Sequence, residues 1–150
     1  MNPRPHGSRC HRCRDEVGKR TPETMAMMTM RWAIIGTGGH ADRCLAPAIA
    51  RAAGAELAAV CSRDKGRAAA FAAKHHAGRA YDTLEAMLAD PEIDVLCVAT
   101  PNHLHAEQAI QAARHGKHVF CEKPMALTVE EGERLVRACN DNRVKLGVDF

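Results

Sequence analysis

"WAIIGTGGHADRCLAPAIARAA" occupies residues 32–53, and its reading decides the fold. Trp32–Ile35 is a short apolar run of strand length, closed by Gly36. Beyond it, Ala41, Cys44, Leu45, Ala48, Ile49 and Ala52 recur at helical spacing and share one helix face. Pro47 falls inside that helix and is expected to kink or divide it, because proline has no amide proton to donate.

The turn joining strand to helix is Gly36-Thr37-Gly38-Gly39-His40-Ala41, a match to G-x-G-x-x-G/A. The first glycine permits the tight turn, and the second lets the backbone approach a pyrophosphate. The small third residue brings helix and strand close, and the helix N-terminus faces the anion. The flanking strand and helix supply the context this motif requires. The loop Gly36, Thr37, Gly38, Gly39 and His40 is therefore expected to hold a dinucleotide.

The same alternation runs to the end of the chain. "ELAAVCS" is a strand, and "DKGRAAAFAAKHH" a helix capped by Asp64. "GRAY" has the length of an edge strand. "DTLEAMLAD" is a short helix in which Asp82 and Glu85 have capping-box spacing. "DVLCVAT" is continuously apolar, as in a strand covered on both faces. "HLHAEQAIQAARHG" is a helix closed by Gly116, "KHVFCE" a strand, and "TVEEGERLVRACN" a helix opened by Thr128 with Glu131 three residues on. "VKLGVDF" reads as a last strand. Such alternation predicts an α/β fold with a doubly wound parallel sheet, the Rossmann fold. Ligands of these sheets bind beyond the carboxyl ends of the strands.

Three strand ends besides the first carry suggestive residues. After "ELAAVC" come Ser62 and Arg63, a hydroxyl and a guanidinium that suit a 2′-phosphate, with Lys65 and Arg67 nearby. This favours NADP over NAD, although Asp64 either caps the helix or meets the ribose. After "DVLCVA" come Thr100, Pro101, Asn102, His103 and His105, either a proline turn with an Asn cap or a ligand-facing loop. After "HVFC" come Glu122, Lys123 and Pro124, which set an ionisable pair at the end of a core strand.

Taken together, "GTGGHA", "CSRD", "ATPNHLH" and "GKHVFCEKPMALT" resemble the glucose–fructose oxidoreductase / inositol 2-dehydrogenase / rhizopine-catabolism family, Gfo/Idh/MocA, over about residues 31–150. The resemblance implies an N-terminal domain that binds NAD(P), and a hydride transfer to or from sugars, polyols or their derivatives. By motif, Gly36 and Gly38 would lie on the pyrophosphate, and Ser62 and Arg63 on the adenosine ribose or its phosphate. Thr100, Pro101, Asn102 and His105 would line the nicotinamide side. Glu122 and Lys123 would sit beside the nicotinamide, with Lys123 catalytic at the substrate oxygen. The resemblance also implies a cis peptide before Pro124 and frequent homo-oligomers. Family members continue for about a second domain's length, which supplies the substrate pocket and a histidine or aspartate partner for the lysine. Residues 125–150 offer no replacement, so the expectation is a domain without its substrate half, either a truncated enzyme or a non-catalytic NAD(P)-binding module.

Bulk properties agree. The chain has 150 residues, 46% hydrophobic and 26% charged, enough for one domain with a core. Residues 1–30 hold six Lys/Arg against three Asp/Glu, and the remainder holds fifteen of each. The net +3 thus belongs to the tail, and the body carries no electrostatic footprint for nucleic acid. No apolar run approaches a membrane span. The tail 1–30 lacks apolar periodicity and is expected to be disordered, or an upstream extension if the true start is Met25, Met27, Met28 or Met30. Cys10 and Cys13 form a CxxC without a second pair, so no metal site is expected. Seven cysteines, of which Cys61, Cys97 and Cys121 lie in apolar runs, predict reduced thiols and a cytoplasmic protein.

Overall fold

The computed structural model describes residues 29–149. The expected disordered tail, the Cys10–Cys13 pair and the candidate starts Met25, Met27 and Met28 lie outside the described residues; Met30 opens the first strand. Six strands form one sheet: β1 Met30–Ile35, β2 Ala55–Cys61, β3 Arg79–Tyr81, β4 Val95–Val98, β5 His118–Cys121 and β6 Leu146–Val148. Their order is β3-β2-β1-β4-β5-β6, and each neighbouring pair is parallel. This is the doubly wound order whose ligand crevice opens where the winding reverses, between β1 and β4.

The helices are α1 Ala46–Arg51, α2 Lys65–His75, α3 Leu84–Leu88, α4 His105–Arg114 and α5 Val129–Asp141. Pro47 does not end the first helix: residues Ala41–Leu45 form a π-helical turn that runs straight into α1, Leu45 and Ala46 keep helical dihedrals, and Pro47 sits in the first turn of α1. Asp64 caps α2 by accepting from the Arg67 amide at 2.9 Å. Thr128 caps α5 by accepting from the Glu131 amide at 3.2 Å, while Glu131 Oε2 accepts from the Leu127 amide. The cap of α3 is Thr83 and not Asp82: Thr83 accepts from the Ala86 amide, which shifts the helix start by one residue. Gly116 follows α4 with φ +71°, a left-handed turn that glycine adopts without strain.

Strand side chains alternate between two cores. Ala33, Ile35, Leu96, Val98, Val119 and Cys121 meet α4 and α5 on one face. Ile34, Val60 and Cys97 meet Leu45, Ile49 and Phe71 on the other. Both faces of the sheet are covered, which is why the central strands are apolar throughout.

The parallel ladder extends one residue past the strands at their carboxyl ends. Gly36 N donates to Cys61 O, Ala99 N to Ile35 O, Glu122 N to Val98 O and Asp149 N to Cys121 O, all at 2.9–3.0 Å. Ser62 N donates to Tyr81 O at 3.1 Å. These bonds bring residues that the sequence scatters over more than a hundred positions onto one rim.

Candidate functional site

The rim borders a cleft of about 700 Å³, a size suited to a small organic ligand. Gly36, Thr37, Gly38, Gly39 and His40 line one wall, Ser62 and Arg63 one end, and Thr100 and Pro101 the other wall. Gly36 adopts φ +104°, and Gly38 has open space where a side chain would stand. A backbone that approaches a ligand closely needs both features. Arg67, Asp82, Thr83, Leu84, Leu104 and Gln108 also line the cleft. Among these only Arg67 carried a sequence signal, as positive charge near Arg63. Asp82 and Thr83 reach the cleft because the β3–α3 loop crosses its end, and no local pattern reports that.

Charge at the Ser62 end is mixed. Arg63 and Arg67 face the cleft with Asp82, and Asp64 lies 3.6 Å from Arg67 while capping α2. Asp64 therefore has a structural task that explains its presence. Cys61 also lines the cleft, but burial pushes its thiol up to about 11, so it stays protonated and is no nucleophile. Burial likewise raises Cys121 to about 12 and Cys97 further still. The five cysteines among the described residues, Cys44, Cys61, Cys97, Cys121 and Cys139, are all unpaired.

Beyond the cleft, the β5 end presents Glu122 and Lys123, followed by Pro124 after a cis peptide. Glu122 does not pair with Lys123. It turns to His40 Nε2, whose other carboxylate neighbour is Asp149 Oδ2 at 3.7 Å. The Glu122 Oε1–His40 contact lies outside hydrogen-bond alignment, and Oε1 is shielded from solvent. One ring nitrogen and two carboxylate oxygens thus gather within 4.8 Å of one another, a set of metal-ligand type that the sequence reading did not single out. Lys123 is exposed.

The Thr100–His105 segment splits in two. Pro101 and Asn102 are exposed, and Asn102 opens a single 3-10 turn through Leu104. The Thr100 hydroxyl donates to Gln108 Oε1 at 2.6 Å. His105 is 1% exposed and lies behind the cleft wall, with a main-chain carbonyl at each ring nitrogen.

Strand order, the positive-φ first glycine and a cleft across the switch point define a doubly wound domain of the dinucleotide-binding class. The chain belongs to the Gfo/Idh/MocA oxidoreductases. That family's model, "Oxidoreductase family, NAD-binding Rossmann fold", matches residues 30–150. A curated relative, scyllo-inositol 2-dehydrogenase (NADP(+)) of Bacillus subtilis, is 45% identical over 117 residues, 78% of this chain and 35% of that protein. The 3-ketoreductase KijD10 of Actinomadura kijaniata, solved with NADP and TDP-benzene, superposes with a TM-score of 0.78 at 30% identity, covering 81% of this chain and 38% of its own. The WlbA dehydrogenase of Bordetella pertussis, solved with NADH and UDP-GlcNAcA, gives 0.74 at 37% identity, with 81% and 37% covered. The chain spans about a third of the length of the curated relatives it matches. No helix among the described residues is long and apolar enough to cross a membrane.

Proposed function

We propose that residues 31–150 are the cofactor-binding domain of an NAD(P)-dependent oxidoreductase acting on a sugar, polyol or related hydroxyl or carbonyl compound. The observation that carries this reading is the cleft, which is lined by the Gly36–His40 loop, Ser62–Arg63 and Thr100–Pro101 together. The loop glycines would lie against the pyrophosphate, and Arg63 with Arg67 against a 2′-phosphate, so NADP is preferred over NAD. Thr100, Pro101 and Asn102 would flank the nicotinamide, with Glu122 and Lys123 at its far edge.

A bound nicotinamide supplies the hydride acceptor or donor. The chain's own contribution is the proton: as hydride leaves the substrate carbon, Lys123 Nζ in its neutral amine form would take the proton from the substrate oxygen, and in reduction its ammonium form would return one. Lys123 is free to do this, since its neighbour Glu122 is engaged with His40. A cytoplasmic setting is part of this reading and is consistent with the five free thiols among the described residues. No nucleic acid or membrane enters the reading, and association into homo-oligomers follows from the family resemblance.

The second reading is a module that binds the cofactor in the same cleft without turnover. Both readings require binding. In fluorescence titrations NADPH should bind more tightly than NADH, and Arg63→Ala should narrow that gap. Equal affinities would sink the NADP preference, and binding of neither would sink both readings.

A further inference from the structure

His105 begins α4, is 1% exposed, and is one of the largest fully buried side chains. Its Nε2 lies 2.7 Å from the Thr100 carbonyl oxygen, and its Nδ1 lies 2.8 Å from the Pro124 carbonyl oxygen. Thr100 leaves β4, and Pro124 follows Lys123 at the end of β5. A single planar ring therefore spans the loops of two adjacent strands, at the rim where the dinucleotide cleft meets Lys123.

Rigidity makes this contact more than packing. The ring has no internal rotors, so the separation of its two nitrogens sets the spacing of the two carbonyls. Buried carbonyls of irregular backbone need a donor, and loops leaving parallel strands have no ladder partner to provide one. A neutral imidazole donates to one of the two carbonyls, and it donates to both only when each ring nitrogen carries a proton; in either form its two nitrogens lie at a fixed spacing between them. Thr100 is held a second time, through its hydroxyl on Gln108. The β4 loop is thus anchored to α4 at two points, and His105 carries that anchor across to the residue after Lys123.

We propose that His105 is a positioning residue. It fixes the Lys123–Pro124 turn against the Thr100–Pro101 wall, so that the nicotinamide end of the site is preformed while the adenosine end does not depend on it. This rests on the reading of the cleft as a dinucleotide site. His105 touches neither cofactor nor substrate in this role; it acts through Thr100 and Pro124.

Two ligands separate the ends of the site: NADPH, and 2′-phospho-ADP-ribose, which lacks the nicotinamide ring. In the full chain, His105→Gln should weaken NADPH about tenfold, the equivalent of one lost buried hydrogen bond of about 1.4 kcal/mol, and leave 2′-phospho-ADP-ribose within about twofold. Equal weakening of both ligands, or of neither, overturns the proposal. A wild-type chain that binds neither ligand overturns the dinucleotide reading itself, a result distinct from any His105 effect. If the variant does not fold, the wild-type protein decides through the ring N–H resonances of His105. They should shift with NADPH and stay in place with 2′-phospho-ADP-ribose; any other pattern contradicts the brace.

Discussion

The Cα of Gly36 faces the main-chain carbonyl of Ala99 so closely that a methyl group there would lie 2.7 Å from the carbonyl carbon and overlap its oxygen. Gly36 also holds φ +104°, which an L side chain rarely adopts. The β1 loop and the β4 loop are in backbone contact at this point, which is how the two walls of the cleft meet. Gly36→Ala should therefore cost about 2 kcal/mol or more in chemical denaturation. Gly38 has nothing within 4 Å of the corresponding position. Gly38→Ala should leave stability within about 0.5 kcal/mol of wild type and still weaken NADPH about tenfold, because the methyl enters ligand space. A Gly38→Ala protein with unchanged affinity would tell against the pyrophosphate lying on this loop.

Acid should remove one anchor of the opposite end of β1. Asp94 accepts from the Arg31 amide at 2.8 Å and from the guanidinium at 2.9 and 2.7 Å, which holds its carboxyl at about 2. A depressed folded value stabilises fully above the unfolded value, near 4, and the contribution is lost as pH falls through about 2. Asp94→Asn should cost about 1 kcal/mol at pH 7, the low end for a partly exposed charged pair. The gap to wild type should close between about pH 4 and pH 2 in urea melts at fixed ionic strength. A gap that persists unchanged at pH 2 would refute the pairing.

Lys123 is tested in a longer protein that joins this domain to a substrate-binding half. Lys123→Ala there should lower kcat by about a hundredfold or more, with cofactor affinity changed less than about threefold. Comparable losses in both would make Lys123 a binding residue and not an acid–base one.

Leu127, Val129 and Val136 are the exposed large hydrophobics among the described residues, at 57%, 74% and 42%, and all three line one groove with Pro124, Met125 and Gly132. The groove begins at Pro124, next to Lys123, and leaves these apolar side chains open to solvent. The chain as it stands should bind a hydrophobic dye there. Leu127→Ser combined with Val129→Thr should reduce dye fluorescence severalfold and leave NADPH affinity intact. Unchanged dye fluorescence would place the exposed apolar surface elsewhere.

Much of this architecture was legible in the sequence because it is periodic. Apolar runs ending in Gly36, Ser62, Thr100 and Glu122 marked four strand ends, and helical faces such as Ala41–Ala52 marked the crossovers. The α3 cap was misplaced by one residue because Asp82 and Thr83 are both good caps, and only the backbone decides between them. What remained illegible was long-range. Gln108 and Asp82 reach the cleft through loops and helix faces set by the whole sheet. His105 sits in a polar motif that reads as ligand-facing, and its burial depends on a carbonyl nineteen residues away. The Glu122–His40 contact joins residues eighty-two positions apart, whereas the charge adjacent to Glu122 in sequence is Lys123.

The central claim, that the cleft holds a nicotinamide dinucleotide, is tested most directly by amide chemical-shift mapping of the 150-residue chain titrated with NADPH. Saturable shifts should concentrate on Gly36–His40, Ser62, Arg63 and Thr100, with smaller ones at Glu122 and Lys123. A folded protein whose spectrum does not move, or moves only at residues away from this rim, would contradict it.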